Sequence, residues 1–187
     1  MYTTSQPNSR MAVKLFAAAA IGAAMLFPPV PVHAAGGGDP APSIPSCPQG
    51  KIWSKKKKKC VPISHHDLNG EELYQQGWVL AKSGDYPKAI TVLSMADQKD
   101  PRVLNYLGYS HRKSGDLDTA IGFYKAALAI NPDFVLAREY LGEGYVKAGR
   151  LDLAKLELEE IGKRCGKGCK EYVELAAVIA GTDTSTW

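Results

Sequence analysis

Apolar residues recur with helical spacing from Leu68 onward, and the pattern repeats three times. Each repeat begins with an apolar-rich stretch that runs into a Gly turn: LYQQGWVLAKSGD, LNYLGYSHRKSGD and REYLGEGYVKAGR. A second stretch of the same kind follows each turn: YPKAITVLSMA, LDTAIGFYKAA and LDLAKLELEEI. Apolar residues at intervals of three and four are typical of amphipathic helices. The sequence therefore predicts three helix–turn–helix units.

Small residues recur in phase with these helices. Each first helix has a glycine near its middle: Gly77, Gly108 and Gly142. Each second helix has an alanine near its start: Ala89, Ala120 and Ala154. Because protein interiors are close-packed, two helices approach each other only where a small residue meets a large one. We therefore expect each glycine to face the second helix of its own unit.

The repeat contains one irregularity. The second and third of these glycines are 34 residues apart, but the first and second are only 31 apart. The three missing residues are assigned to the segment between Pro101 and Gly108. This spacing predicts that the first helix of the middle unit begins one turn late.

The whole pattern resembles the tetratricopeptide repeat (TPR), a 34-residue unit with an L-G-x2-Y core, an A-x3-F core and a closing proline. The middle unit carries the best match, with Leu107, Gly108, Ala120, Tyr124, Ala127 and Pro132. The resemblance covers the chain from Leu68 to about Lys163. With the export signal described below, it indicates an exported TPR protein of bacterial type.

The resemblance implies an all-α fold, a solenoid of helix–turn–helix repeats. About three units are expected, at residues 70–101, 102–132 and 135–164. One unit cannot bury its own apolar face, so the units stack and the ends need caps. Residues 169–180 keep the apolar spacing of a helix, and we expect a capping helix there. The repeat domain is then expected to span 68–181, with a tail at 182–187.

In this family the first helices line a concave face that binds an extended peptide or a partner helix. The resemblance therefore implies a protein or peptide ligand. The outward positions of the first helices are Tyr74, Trp78, Lys82, Asn105, Tyr109, Arg112, Lys113, Glu139, Glu143 and Lys147. Aromatic residues and Arg are the types that form binding hot spots. The alternative is that Trp78 and Tyr109 only pack between neighbouring helices.

The N-terminal segment has the order of a secretory signal peptide. Arg10 and Lys14 precede an uncharged stretch, Leu15–Phe27. Prolines end this stretch, and Val32 and Ala34 then place small residues at the two positions that favour cleavage after Ala34 or Ala35. We expect residues 1–34 to be removed and the protein to be periplasmic or secreted. A membrane anchor is the alternative, although the stretch is shorter than the ~20 residues that span a bilayer. Met11 is an alternative start.

A basic segment follows the signal. Residues 35–46 are rich in Gly, Pro and Ala and are expected to form a flexible linker. Residues 47–62 are expected to form a small hairpin closed by a disulfide, since two large apolar residues cannot fold it alone. Its tip carries five consecutive lysines: Lys55, Lys56, Lys57, Lys58 and Lys59.

The lysine run accounts for the net charge of the chain. The whole chain is +4, with 23 basic and 19 acidic residues, whereas residues 61–187 carry 15 basic and 18 acidic residues, a net of −3. The run is either a solvated hairpin tip or a site for an anionic surface of the cell envelope. Nucleic acid is the third possibility, and export disfavours it.

Four cysteines form two local groups. Export favours disulfides over free thiols. The grouping suggests the pairs Cys47–Cys60 and Cys165–Cys169, although four cysteines allow three connectivities. Half a zinc site at Cys165 and Cys169 is the alternative, and no second pair has matching spacing.

Other candidate chemistry is sparse. A hydrophobic content of 45% with 22% charged residues is close to the globular average, which excludes a wholly disordered chain and a multi-span membrane protein. His65 and His66 fit no closed tetrahedral metal pattern. There is no Gly-rich nucleotide loop, and His111 has no evident nucleophilic partner. We expect no enzyme activity, no metal and no cofactor; the oligomeric state is not evident from the sequence.

Overall fold

A computed structural model describes residues 44–48, 51–62 and 68–182. The chain divides into two units, Met1–His33 and Ala34–Trp187, and all described residues belong to the second. The expected signal peptide, most of the linker, His65, His66 and nearly all of the tail lie outside the described residues.

Two short strands precede the helices: β1 (Lys51–Ser54) and β2 (Lys59–Pro62). The described residues then form seven helices: α1 (Gly70–Lys82), α2 (Tyr86–Ser94), α3 (Pro101–Lys113), α4 (Leu117–Ile130), α5 (Val135–Lys147), α6 (Leu151–Cys165) and α7 (Lys170–Ile179). The expected all-α repeat solenoid with a capping helix is confirmed. No helix in the described ranges has the length and apolar character needed to cross a membrane.

Local sequence explains where the first unit begins and where all three units turn. Asn69 and Glu72 form a capping box at the start of α1, in which each side chain bonds to the other residue's backbone N–H. Turn glycines follow the three first helices, and Gly84, Gly115 and Gly149 have φ of +86°, +91° and +72°. A side chain would be strained in this left-handed conformation. The turns therefore reverse the chain at the predicted places.

The three residues missing between the first and second repeats do not shorten α3, the first helix of the middle unit, as the sequence analysis expected. Pro101 begins α3 seven residues before Gly108, and Gly70 begins α1 seven residues before Gly77. The predicted late start of α3 is therefore wrong. Asp100 caps α3, and Pro101 at its first position suits a helix start. The shortfall falls on α2, which has 9 residues whereas α4 has 14.

The small residues allow close packing, with one difference between units. A Cβ at Gly108 would lie 2.7 Å from Cε1 of Tyr124, so α3 and α4 meet there. A Cβ at Gly77 would clash with Leu93 of α2 in the same way. At Gly142, however, the nearest side chain is Leu175 of α7, 2.5 Å from such a Cβ. The expectation that Gly142 faces its own second helix is corrected: α7 packs onto α5 there.

The disulfide hairpin packs against α1. Strands β1 and β2 are antiparallel and place Ile52 opposite Val61. Both side chains are buried in the same core cluster as Leu73. Nε2 of Gln76 donates a hydrogen bond to the carbonyl of Trp53 at 2.9 Å. The hairpin is therefore part of the folded core, which the sequence analysis did not foresee.

Candidate functional site

The first helices present a pair of side chains at equivalent positions, four and eight residues after each helix begins. These pairs are Tyr74 and Trp78 on α1, Asn105 and Tyr109 on α3, and Glu139 and Glu143 on α5. Residues four apart share one face of a helix. We call the surface that carries these pairs the groove face.

Aromatic rings connect the groove face across three helices. The ring centroids of Tyr74 and Trp78 are 6.2 Å apart, and each lies 6.1 Å from the ring of Tyr106. Tyr106 is 6.0 Å from Tyr109, which is 5.3 Å from Tyr140 of α5. Aromatic pairs at such distances contribute ~0.5–1.5 kcal/mol beyond their burial. The rings thus form a continuous row that runs from α1 to α5.

The α1 and α3 part of this row is open. Tyr74, Trp78 and Tyr109 are only partly buried. The Nε1 atom of Trp78 is buried and has no hydrogen-bond partner among the described residues. A buried donor without a partner costs ~1–3 kcal/mol. Because the three rings are only partly buried, a partner can reach them from outside, as the sequence analysis expected for the first helices.

Four predicted outward residues are instead buried. Exposure is 0% for Asn105, 1% for Arg112 and 2% for both Glu139 and Glu143. Their outward placement is a wrong prediction, because spacing along one helix does not show which neighbouring helix covers it. A role in partner binding stays a prediction for them.

Arg112 and Glu143 form a buried ion pair between α3 and α5. Nη2 of Arg112 lies 2.5 Å from Oε2 of Glu143, and Nε of Arg112 donates to the hydroxyl of Tyr124 at 3.3 Å. Burial alone would lower the pKa of Arg112, but Tyr124 and Glu143 raise it above its usual value. The guanidinium stays charged and links the two first helices.

The side chain of Asn105 is unusual for a buried amide. Neither its Nδ2 nor its Oδ1 has a hydrogen-bond partner within residues 44–48, 51–62 and 68–182. It lies one turn before Tyr109 on the same helix face. Buried polar groups are nearly always paired in folded proteins, so Asn105 is an exception within the described residues.

Helix α7 covers α5 at the positions that are open on α1. Glu139 shares a side-chain hydrogen bond with Glu174 of α7 and lies near Lys170. Burial raises the pKa of Glu139 well above its usual value, and the nearby Glu143 and Glu174 raise it further. Glu139 is therefore protonated at neutral pH. The groove face is closed at this end.

Lysines end all three first helices: Lys82 on α1, Lys113 on α3 and Lys147 on α5. Nζ of Lys82 lies 5.6 Å and Nζ of Lys113 lies 5.8 Å from the ring centroid of Tyr109. Lys147 is exposed. Two lysine side chains therefore lie beside the ring of Tyr109.

The hairpin lysines occupy a separate surface. Lys55–Lys59 are all exposed, and the turn between the strands holds four of them. Nζ of Lys55 donates to Oε1 of Gln75 on α1. The run is therefore held against the first helix by the hairpin.

The described cysteines are joined in the two local pairs that the sequence grouping suggested, Cys47–Cys60 and Cys165–Cys169. Cys165, Cys169 and Glu171 have ligand atoms within 4.8 Å of one another, a grouping that could hold a metal ion. Metal ligation requires thiolates. The disulfide removes them, so this grouping is not a metal site in the oxidised chain.

Comparison with known proteins identifies the repeat. Residues 101–134 match the family model of the tetratricopeptide repeat. A curated relative, the chloroplastic tetratricopeptide repeat domain-containing protein PYG7 of Arabidopsis thaliana, is 32% identical over 102 residues. The match covers 51% of this chain and 34% of the relative, so the chain spans about a third of that protein's length. These matches support a TPR protein.

Solved structures share the fold. The Yersinia enterocolitica type III secretion chaperone SycD, in complex with a peptide of the translocator YopD, has a TM-score of 0.52 and 23% identity, covering 60% of this chain and 87% of that chain. The first TPR domain of Spaghetti (RPAP3), bound to an HSP90 peptide, has a TM-score of 0.54 and 20% identity, covering 60% and 92%. At these identities the likeness concerns the fold.

Proposed function

We propose that this protein is an exported adaptor that binds a segment of a partner protein on the groove face of its repeats. The observation that carries this proposal is the open aromatic row of α1 and α3. Trp78 and Tyr109 are large, partly exposed and held in place by neighbouring rings. Rigid aromatic anchors of this kind dominate binding energy in protein interfaces.

The likeness to solved structures supports this role. SycD and the first RPAP3 domain were each solved with a peptide of another protein. In this chain α7 closes the groove face at α5, so the partner segment is expected to lie across α1 and α3. The rings are already in position there, and a partner loses little freedom on docking because the groove is preformed.

The mechanism needs no chemistry on the partner. The contacts of the described residues give no reason to assign a reaction: the buried charged groups serve to join helices, as Arg112 and Glu143 do. We therefore propose a binding protein and no enzyme.

A photo-crosslinking amino acid at position 78 tests the groove. When the protein carrying this amino acid is expressed in the exporting cell and illuminated, it should form covalent adducts with a partner protein. The control is the same amino acid at position 156 on α6, where Leu156 is 55% exposed. Equal adducts from both positions, or none from position 78, would count against the groove.

The second test measures the affinity of variants for the partner that the crosslinking identifies. Trp78→Ala should weaken binding at least tenfold, because truncating a central aromatic anchor costs ~2 kcal/mol or more. Leu156→Ala should leave the affinity unchanged. Circular dichroism must show that both variants keep the helical content of the parent chain.

Export is the part of the proposal that rests on the N-terminal sequence. Exported material should begin at Ala35 or Gly36, and N-terminal sequencing measures this. A chain that retains Met1 or Met11 in a membrane fraction would instead be an anchored protein.

A second candidate function is attachment to an anionic surface of the envelope through Lys55–Lys59. It is favoured by one observation: the hairpin holds these exposed lysines at a fixed place against α1. Clustered lysines near an anionic membrane contribute ~1 kcal/mol each. Replacing all five with Gln should abolish cosedimentation with phosphatidylglycerol vesicles, whereas Trp78→Ala should not change it. Full cosedimentation of the Gln variant would rule this function out.

A further inference from the structure

The turn between α6 and α7 brings together three side chains of the kinds that bind metal ions. Cys165 is the last residue of α6, Cys169 is the N-cap of α7, and Glu171 lies in the first turn of α7. The two sulfur atoms and a carboxylate oxygen of Glu171 all lie within 4.8 Å of one another. The cysteine spacing alone indicated half a site. The fold of α7 supplies the third group.

The disulfide is only one of the two states of these sulfur atoms. Disulfides form in oxidising compartments, so a newly made chain still carries thiols at Cys165 and Cys169. Cys165 is exposed and Cys169 is half-buried, which leaves both sulfur atoms within reach of an ion from solvent. A thiolate binds metal, so the thiol form of the turn has a chemistry that the oxidised form lacks.

The geometry of the turn suits zinc. With Zn–S bonds of about 2.3 Å and a Zn–O bond of about 2.1 Å, tetrahedral ligand atoms lie about 3.5–3.8 Å apart. The Cα atoms of Cys165 and Cys169 are 5.9 Å apart, so rotation of the two side chains brings the sulfur atoms to this separation. Soft thiolate ligands favour zinc over magnesium and calcium. The ligand set therefore points to Zn²⁺.

The charge around the turn is compatible with a zinc–thiolate group. Two thiolates and one carboxylate carry three negative charges, and Zn²⁺ offsets two of them. The remaining negative charge lies at the start of α7, where the helix dipole is positive, and the exposed Lys167 lies in the same turn. Asn or Asp side chains cap α1 to α4, whereas Cys169 makes no capping hydrogen bond. Its sulfur is therefore not committed to the helix end.

We propose that the thiol form of this protein binds one Zn²⁺ through Cys165, Cys169 and Glu171. Three protein ligands leave the fourth tetrahedral position to water or to a group from another molecule. The metal and the disulfide exclude each other, because the same two sulfur atoms form both. Each of them ties the end of α6 to the start of α7, the helix that closes the groove face at α5. The site lies outside the groove face, so this inference does not depend on the proposed function.

Cobalt absorption tests the site, because Co²⁺ takes the place of zinc and gives sulfur-to-cobalt charge-transfer bands. The test uses the full chain with Cys47→Ser and Cys60→Ser, which we call the turn-thiol variant. It is reduced with a phosphine, which is then removed without air. One Co²⁺ per chain should bind and give these bands. Zn²⁺ should abolish them, because zinc binds more tightly than cobalt, whereas Mg²⁺ and Ca²⁺ should not, because they prefer oxygen ligands.

The matched control keeps two thiols but moves them to the other pair. The hairpin-thiol variant, Cys165→Ser with Cys169→Ser, retains only Cys47 and Cys60 and should give no charge-transfer bands when reduced. Equal bands from both variants would mean that cobalt binds any pair of thiols in this chain, and the inference would be wrong. The oxidised parent chain should also lack the bands. Absence of the bands from the reduced turn-thiol variant would refute the site directly.

The role of Glu171 has its own control. In the turn-thiol variant, Glu171→Gln should weaken zinc binding at least tenfold in competition with a coloured chelator. Loss of a group that only supports a ligand already costs ~10–100-fold. Glu159→Gln, at an exposed position of α6 outside this group, should leave the affinity unchanged. An unchanged affinity in Glu171→Gln would show that its carboxylate is not a ligand. One metal per two chains would place the metal between copies, and either result overturns the proposal.

Hydrogen exchange gives a readout on the fold itself. An ion that binds only the folded turn stabilises that turn, so Zn²⁺ should slow amide exchange at the start of α7 in the reduced turn-thiol variant. The hairpin-thiol variant should show no such slowing, and circular dichroism must show that both variants keep the helical content of the parent. Equal slowing in both would mean that zinc acts elsewhere on the chain, which contradicts the proposed site.

Discussion

The two ends of the groove face differ although they are built from equivalent repeat positions. On α1 these positions hold Tyr74 and Trp78, which are partly exposed. On α5 they hold Glu139 and Glu143, which are almost completely buried. On α5, Glu174 of α7 bonds to Glu139 and Arg112 of α3 pairs with Glu143. A repeat position is therefore open or part of the core according to the helices packed against it.

The largest effect is expected at the ion pair that joins the middle of the solenoid to its closed end. Arg112→Ala leaves the carboxylate of Glu143 buried with its guanidinium partner removed. Breaking a buried pair in this way costs ~3–5 kcal/mol. Urea denaturation should show a fall of this size in the free energy of unfolding. A fall below ~1 kcal/mol would mean that Arg112 is a surface residue, as its helix spacing had suggested.

The second-largest loss of stability is expected when the packing of α7 on α5 is loosened. Leu175 is fully buried against Gly142, and Leu→Ala in a core costs ~2–5 kcal/mol, depending on how far the cavity collapses. We expect about 3 kcal/mol in urea denaturation and faster amide exchange in α7. Val173 on the same helix is 54% exposed, so Val173→Ala is the control and should change the stability by less than ~0.5 kcal/mol. Equal effects from the two variants would show that α7 does not close the groove.

Protonation of Glu139 gives the closed end a pH dependence of its own. Its pKa is 4.5 when unperturbed and is raised in the folded chain. Above that unperturbed value the folded state keeps a proton that the unfolded state releases. The free energy of unfolding therefore falls as pH rises, by at most ~1.4 kcal/mol per pH unit, until the folded pKa is passed.

Glu139→Gln isolates this contribution, because Gln keeps the shape and does not titrate. The variant and the parent should be similarly stable near pH 4. The variant should become the more stable of the two as pH rises through neutrality, measured by thermal melting at a series of pH values. Parallel melting curves across this range would contradict a protonated Glu139. Glu143, Glu174 and Lys170 surround this group, and all three are present in both chains.

The smallest effect is expected at the open end. Lys82→Gln removes a charge at the edge of the groove face and leaves the packed helices unchanged. Its free energy of unfolding should remain within ~0.5 kcal/mol of the parent. A loss of stability comparable with that of Leu175→Ala would show that Lys82 contributes to the packed core. The contrast between the open and closed ends would then disappear.

Helical periodicity was enough to predict the architecture, because it is a local property of the chain. The turn glycines, the packing alanines and α7 all follow from apolar spacing and small residues in phase. What the sequence analysis missed depends on contacts between segments far apart. Nothing in the repeat pattern places Glu174 over Glu139 or Leu175 on Gly142. The available signal in the sequence was the pair of acidic residues, Glu139 and Glu143, four apart on one first helix. Such a pair must be neutralised when another helix covers it.

The hairpin shows the same limit at the other end of the chain. Its two apolar residues, Ile52 and Val61, are too few to fold it alone, and this was evident from the sequence. The sequence did not show that α1 supplies the remaining apolar surface. The missing rule is a general one: a segment that cannot build its own core needs a neighbour to complete it.

We expect the docked hairpin also to limit how the protein can associate with itself. A solenoid end that lacks a cap offers an apolar helix face on which another copy can stack, and the stack can then grow into a filament. Here Ile52 and Val61 cover the core at α1, and α7 covers the opposite end. The Cys47–Cys60 disulfide holds the first of these covers closed. We therefore expect reduction of this disulfide to loosen the cover at the α1 end and to leave the cover at the α7 end unchanged.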